Sequence, residues 1–277
     1  MSDAVRSLTI RAALFVACFV LMLAATAAAQ QPVVAPAPSE PEFFSRYDFH
    51  LNAAGLATSL PATDQRFAWD THFGGSLDLV DYLVGRAGVV LDYEAVLGSE
   101  FRPFDPNQGN YTLEGFVTGR LSGTTEIAGF FHHVSRHLSD RSKLKEIPVA
   151  WNELGGRILH RATLGSVTVD ADLEGGFTVE HAYVDYTWQG EAHVLVRRPL
   201  NDHVGVFAHG AGQLFAVDGS VPNRGAQTGG LVEAGLRLNG RAGALELFAG
   251  FEKRVDAYPV GRQSQHWGLA GFRLLSR

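Results

Sequence analysis

Cysteine is almost missing from this chain. Cys18 is the single one in 277 residues, so no disulfide framework can hold the fold together. Charge is also scarce, at 19% Asp, Glu, Lys and Arg against roughly 25% in an ordinary soluble domain. Basic clusters are lacking: 23 Lys+Arg face 29 Asp+Glu, a formal net charge of −6. Nothing here neutralises a run of phosphates, which argues against nucleic acid as a partner. Past residue 29 no apolar run approaches the roughly 18 residues that a membrane-spanning helix needs. Disorder is excluded by a hydrophobic content of 46%.

What is present begins with an export signal over residues 1–29. Arg6 and Arg11 precede an apolar run from Ala12 to Ala25, and Ala27, Ala28 and Ala29 supply the small residues of a cleavage site. Residues 30–42 (QQPVVAPAPSEPE) carry four prolines and no periodicity, and are expected to form a flexible tether. Residues 43–277 form the remaining unit.

Over that unit the chain alternates with period two. From Val167, one parity reads Val167, Val169, Ala171, Leu173, Phe177 and Val179, the other Thr168, Asp170, Asp172, Glu174 and Thr178. Successive side chains of a strand point to opposite faces, so each such segment has a greasy and a wet face. Strands are expected near 43–57, 67–80, 84–97, 110–122, 125–137, 149–162, 166–179, 184–198, 203–217, 228–240, 243–254 and 264–276. Tight joins at 81–83, 123–124, 163–165, 199–202 and 241–242 alternate with longer ones. The join at 180–183 is the exception, short where a long one is due. Long loops at one end and turns at the other are the mark of an outer-membrane barrel, and an even strand number puts both termini in the periplasm. The expected fold is all-β, a transmembrane antiparallel up-and-down barrel of about twelve strands in the bacterial outer membrane, with outer-membrane lipids as its partners.

A soluble sandwich alternates too, but its strands average about 5–6 residues, and acids such as Asp170, Asp172 and Glu174 on one face would be ruinous in a dry core. In a barrel that face lines a wet lumen. The expected lumen set is Asp78, Asp92, Glu94, Glu114, Arg120, Glu126, Asp170, Asp172, Glu174, Asp185, Glu191, Glu233 and Arg237. Its acidic surplus predicts cation preference for any pore, while mixed signs at close quarters can equally cross-link into a plug. A small cation-preferring channel is thus one functional reading.

One stretch carries chemistry. Residues 130–143 read FFHHVSRHLSDRSK and hold three of the eleven histidines. His133, Ser135 and His137 share a parity, and Asn152 lies on the apolar parity of the next strand, so these groups sit on the outer wall near the loop rim. Neighbours across the hairpin come within hydrogen-bond reach. A serine hydroxyl becomes nucleophilic when an imidazole takes its proton, and the imidazole needs a third group to fix its tautomer. His132, His133, His137 and Asp140 make a poor metal set, because His132 and His133 point apart and His133 to His137 spans about 13 Å.

At this point the sequence resembles the outer-membrane phospholipase A family, twelve-stranded barrels with a His-x-Ser pair on one strand and an Asn on the next. The resemblance implies acyl hydrolysis at the lipid-facing wall, with His133 as base, Ser135 as nucleophile and Asn152 as the orienting group. It also implies calcium completing the site between two subunits; no other cofactor is expected. The lipid A deacylases carry a similar strand-borne His-x-Ser on a smaller barrel. In both families an Asn follows the serine, where this chain has Arg136 and His137. The same stretch is also similar to an uncharacterised family of bacterial outer-membrane barrels with an H-x-S-S-H-L-G-D-E signature. His133, Ser135, His137, Leu138 and Asp140 match it, while Arg136, Ser139 and Arg141 replace its Ser, Gly and Glu. That likeness names no activity, and leaves a barrel of undetermined role beside the hydrolase and channel readings.

Overall fold

The computed structural model describes residues 33–57, 64–138 and 147–276; the export signal over 1–29 lies outside them. Twelve strands follow in chain order: β1 (Glu42–Ala57), β2 (Trp69–Tyr82), β3 (Gly85–Gly98), β4 (Asp105–Ser122), β5 (Thr125–Leu138) and β6 (Val149–Leu164), then β7 (Val167–Ala182), β8 (Tyr186–Pro199), β9 (Val204–Val217), β10 (Gln227–Asn239), β11 (Gly243–Arg254) and β12 (Gln265–Ser276). Each pairs antiparallel with its sequence neighbour, and β12 returns to β1 to close the barrel. Closure satisfies every strand edge internally, which hydrocarbon demands because it offers backbone groups no partner.

Alternation sorts the side chains by face. On β7, Leu173 is 60% and Phe177 67% exposed. Glu126 on β5 and Glu252 on β11 are fully buried. Apolar residues therefore look outward and acids look into the barrel, the reverse of a soluble protein. Exposed aromatics gather at both rims, Phe43, Tyr47 and Tyr82 near the turns, Trp69, Tyr93 and Tyr111 near the long loops, as the two interfaces of a membrane favour. Among the turns, Gly165 adopts φ +63°, a left-handed conformation that glycine takes without a Cβ penalty.

Two boundaries differ from the sequence expectation by more than two residues. Strand β4 begins at Asp105, because Asp105 and Pro106 already pair with Gly98 and Leu97 across a register shift. Strand β7 runs on to Ala182: its pairing with β6 shifts between Asn152 and Glu153, which face Glu180 and Thr178 and leave Val179 as an extra residue. Phe67 is another difference. It precedes β2 and packs inside the barrel against Trp267, with ring centroids 5.1 Å apart.

Both ends of the barrel are filled. At the turn end, Val34 and Ala35 of the proline-rich segment are buried. Arg86 Nη2 donates to the Val33 carbonyl at 2.9 Å, and the Ala35 amide donates to Glu126 Oε1 at 3.3 Å. At the loop end, residues 255–260 fold into the mouth: Ala257 is fully buried, and Arg136 donates to the carbonyls of Asp256 at 2.6 Å and Ala257 at 3.0 Å. Val255 packs there with Trp151, Tyr186 and Phe215. In the same mouth Arg66 lies 4.4 Å from the centroid of Tyr258, and its guanidinium holds the Asp64 carboxyl below the usual carboxylate range.

Candidate functional site at the outer rim

The lumen is braced by ion pairs. Arg254 on β11 donates to Asp70 at 2.5 Å, Glu94 at 2.6 Å and Glu252 at 2.7 Å, reaching β2 and β3. Arg157 bonds Glu114 at 2.9 Å and also Glu174. Arg86 bridges Asp78 at 2.9 Å and Glu126 at 3.0 Å. Arg120 reaches Asp81 at 2.6 Å, Asp170 takes Arg161 at 2.6 Å and Arg197 at 3.2 Å, Arg273 holds Glu233 at 2.8 Å, and Arg237 holds Glu246 at 2.7 Å. Asp92 accepts from both His50 and His72 at 2.8 Å. Glu191 contacts His193 at 3.1 Å, and Asp172 lines the same cavity as His193. Asp185 lies at the mouth, in the join before β8, 2.9 Å from Arg224.

Among the described residues these pairs leave separate pockets of space between them. One cavity of about 120 Å³ lies between Val33, His50, His193 and Arg273. Another of about 170 Å³ lies between Asp92, His132, Arg136 and Arg254. Asp70, His72 and Glu94 bring potential metal-ligand atoms within 4.8 Å of one another, but Arg254 already supplies positive charge to two of the three.

The outer rim holds a second group. Across the β5–β6 hairpin His133 faces Asn152, and Ser135 faces Ala150. His133 and Ser135 share the parity of Phe131, and Asn152 that of Leu154; those apolar residues are 44% and 58% exposed, so all three look outward. His133 Nδ1 lies 2.6 Å from Asn152 Oδ1. An amide oxygen only accepts, so Nδ1 donates, and in the neutral imidazole Nε2 then keeps the lone pair. Asn152 Nδ2 donates in turn to Glu180 Oε2 at 3.0 Å. The Ser135 hydroxyl bonds elsewhere, to His137 Nε2 at 2.8 Å, and no hydrogen bond joins it to His133 among the described residues. The His137 ring stands edge-on to Tyr111, centroids 5.6 Å apart. His132 points into the lumen and meets Glu114 at 3.2 Å. Asp140 lies outside the described residues.

The expected constellation is therefore assembled in part. His133 and Asn152 meet directly; Ser135 stands beside them but bonds the histidine on its other side. Parity made His137 available, being two residues along the same face. Glu180 had no signal of its own, since its outward aim comes from the extra residue in β7. Among the described residues Glu180 is the one carboxylate at this site, and calcium takes 6–8 oxygen ligands. One chain on its own therefore supplies fewer oxygens here than such a cage needs, and the resemblance places that ion between two subunits.

No protein-family model matches the chain, and no curated protein matches it. Solved structures do. Outer membrane phospholipase A from Escherichia coli is similar over 83% of this chain and 92% of its own, at 13% identity and a TM-score of 0.51. An active-site mutant of the Escherichia coli phospholipase is similar over 90% of this chain and 94% of its own, at 12% identity and a TM-score of 0.50. At such identities the likeness shows the fold. Together with the closed twelve-stranded wall it defines the class: this chain is a β-barrel of the bacterial outer membrane.

Proposed function

We propose that the chain is a serine acyl hydrolase acting on ester-linked lipids at the outer rim of the barrel. The observation that carries this reading is the 2.6 Å contact between His133 Nδ1 and Asn152 Oδ1, with Ser135 two residues along the same lipid-facing strand face. Asn152 commits His133 to the tautomer whose Nε2 can accept a proton. Turning Ser135 Oγ from His137 onto His133 is a side-chain rotation, a motion of picoseconds to nanoseconds in exposed residues. The His137 contact parks the hydroxyl in the resting state.

The chemistry follows from those positions. Ser135 Oγ attacks the ester carbonyl carbon while His133 Nε2 removes its proton. Collapse of the tetrahedral intermediate breaks the ester C–O bond, and His133 returns the proton to the departing alcohol. Water, deprotonated by His133, then releases the fatty acid from Ser135. Placement suits the substrate, because side chains on this wall meet lipid directly and need no channel.

The test is release of fatty acid from phospholipid vesicles or mixed micelles by purified protein. Wild type is expected to release it, and Ser135→Ala to abolish release. Equal release by Ser135→Ala would overturn the reading.

A further inference from the structure

Glu180 occupies its place through an irregularity. Counting from Phe177, which looks outward, strict alternation would send Val179 outward and Glu180 into the lumen. The pairing instead sets Thr178 opposite Glu153 and Glu180 opposite Asn152, with Val179 left over. A bulge of this kind re-aims the side chains beyond it. Its result is a carboxylate on the wall that otherwise meets lipid, 3.0 Å from Asn152 Nδ2. Charge on that wall is tolerated only near the interface.

The carboxylate has a directional consequence. An ionised carboxylate accepts hydrogen bonds and cannot donate, whereas a carboxamide can turn either end to a neighbour. Opposite Glu180, Asn152 must present its NH₂. Its oxygen then faces His133, and His133 must place its proton on Nδ1. With the amide reversed, Nδ1 would accept, the proton would move to Nε2, and the atom that should take the serine proton would already hold one.

We propose that Glu180 is a positioning residue: it fixes the orientation of the Asn152 amide and, through it, the Nδ1–H tautomer of His133. The proposal rests on the acyl-hydrolase reading for its catalytic meaning, but the tautomer itself can be read without turnover.

The experiment compares wild type with Glu180→Gln, Glu180→Ala and Glu180→Lys in detergent micelles. Nitrogen-15 NMR of labelled histidine in a Ser135→Ala background reports the His133 tautomer. Kinetics on the Ser135 forms report kcat and KM, and heat-modifiable gel migration confirms a folded barrel for each. Wild type is expected to hold Nδ1–H. Glu180→Lys, which can only donate, should turn the amide and move the proton to Nε2. Glu180→Ala should lower kcat by about tenfold with KM little changed, a fraction of what a general base contributes. Glu180→Gln, whose amide oxygen can accept the same bond, should recover kcat relative to Glu180→Ala. An unchanged tautomer in folded Glu180→Lys, or kcat in Glu180→Ala equal to wild type, would overturn the proposal. Inactive wild type with the expected tautomer change would instead overturn the hydrolase reading and leave the positioning role standing.

Discussion

Arg254 and Asp70 lie 184 residues apart in sequence and meet inside the barrel at 2.5 Å. The contact joins β11 to β2 through the lumen, and the same guanidinium holds Glu94 and Glu252. Arg254, Asp70 and Glu252 are buried and Glu94 is partly so. Removing one partner of a buried ionic set strands the others, a loss of about 3–5 kcal/mol. Arg254→Ala is expected to lower the unfolding free energy by about that much, measured by urea titration in lipid vesicles with gel migration as the readout. A change below about 1 kcal/mol would mean that water already solvates these acids.

The same bracing bears on transport. Arginines link acids on non-adjacent strands, Val255, Asp256 and Ala257 are buried in the loop-end mouth, and Val34 and Ala35 are buried at the other end. Planar-bilayer recordings are expected to show no stable conductance for wild type. Cation-selective steps of constant size would show that the braces open, and would restore the channel reading.

The choice of base separates in two variants. His133→Ala removes the imidazole that Asn152 orients, and is expected to cost about 10²-fold or more in kcat. His137→Ala frees the Ser135 hydroxyl from its resting bond and should leave kcat at or above wild type. Fatty-acid release rates decide it: loss in His137→Ala with activity kept in His133→Ala would reverse the two roles.

Much of the architecture was legible because alternation is a strong signal when one face meets hydrocarbon and the other ion pairs. Most strand ends fall within two residues of expectation, and Leu173 and Glu174 lie on the faces their chemistry dictates. The early start of β4 was hidden because Asp105 to Gln108 do not alternate and include a proline. The rim was readable as far as parity goes: His133, Ser135, His137 and Asn152 share a face, but parity does not say which histidine the serine bonds. Glu180 was invisible, because the extra residue at Val179 that turns it outward follows from pairing with β6 and not from composition. The buried Val34 and Ala35 were hidden among prolines that read as a tether.

The outward face of the wall has its own test. Leu173 lies near the middle of β7 and is 60% exposed, so it meets lipid. Leu173→Arg is expected to destabilise the barrel by about 2–4 kcal/mol in vesicles, measured against Leu173→Ala. An effect near zero would place residue 173 in water.

The most direct test is covalent labelling of the serine by a fluorophosphonate lipid analogue, located by mass spectrometry. Wild type should carry the adduct on Ser135, with little or none in His133→Ala. No adduct on Ser135, or equal labelling with and without His133, would contradict acyl chemistry at this rim.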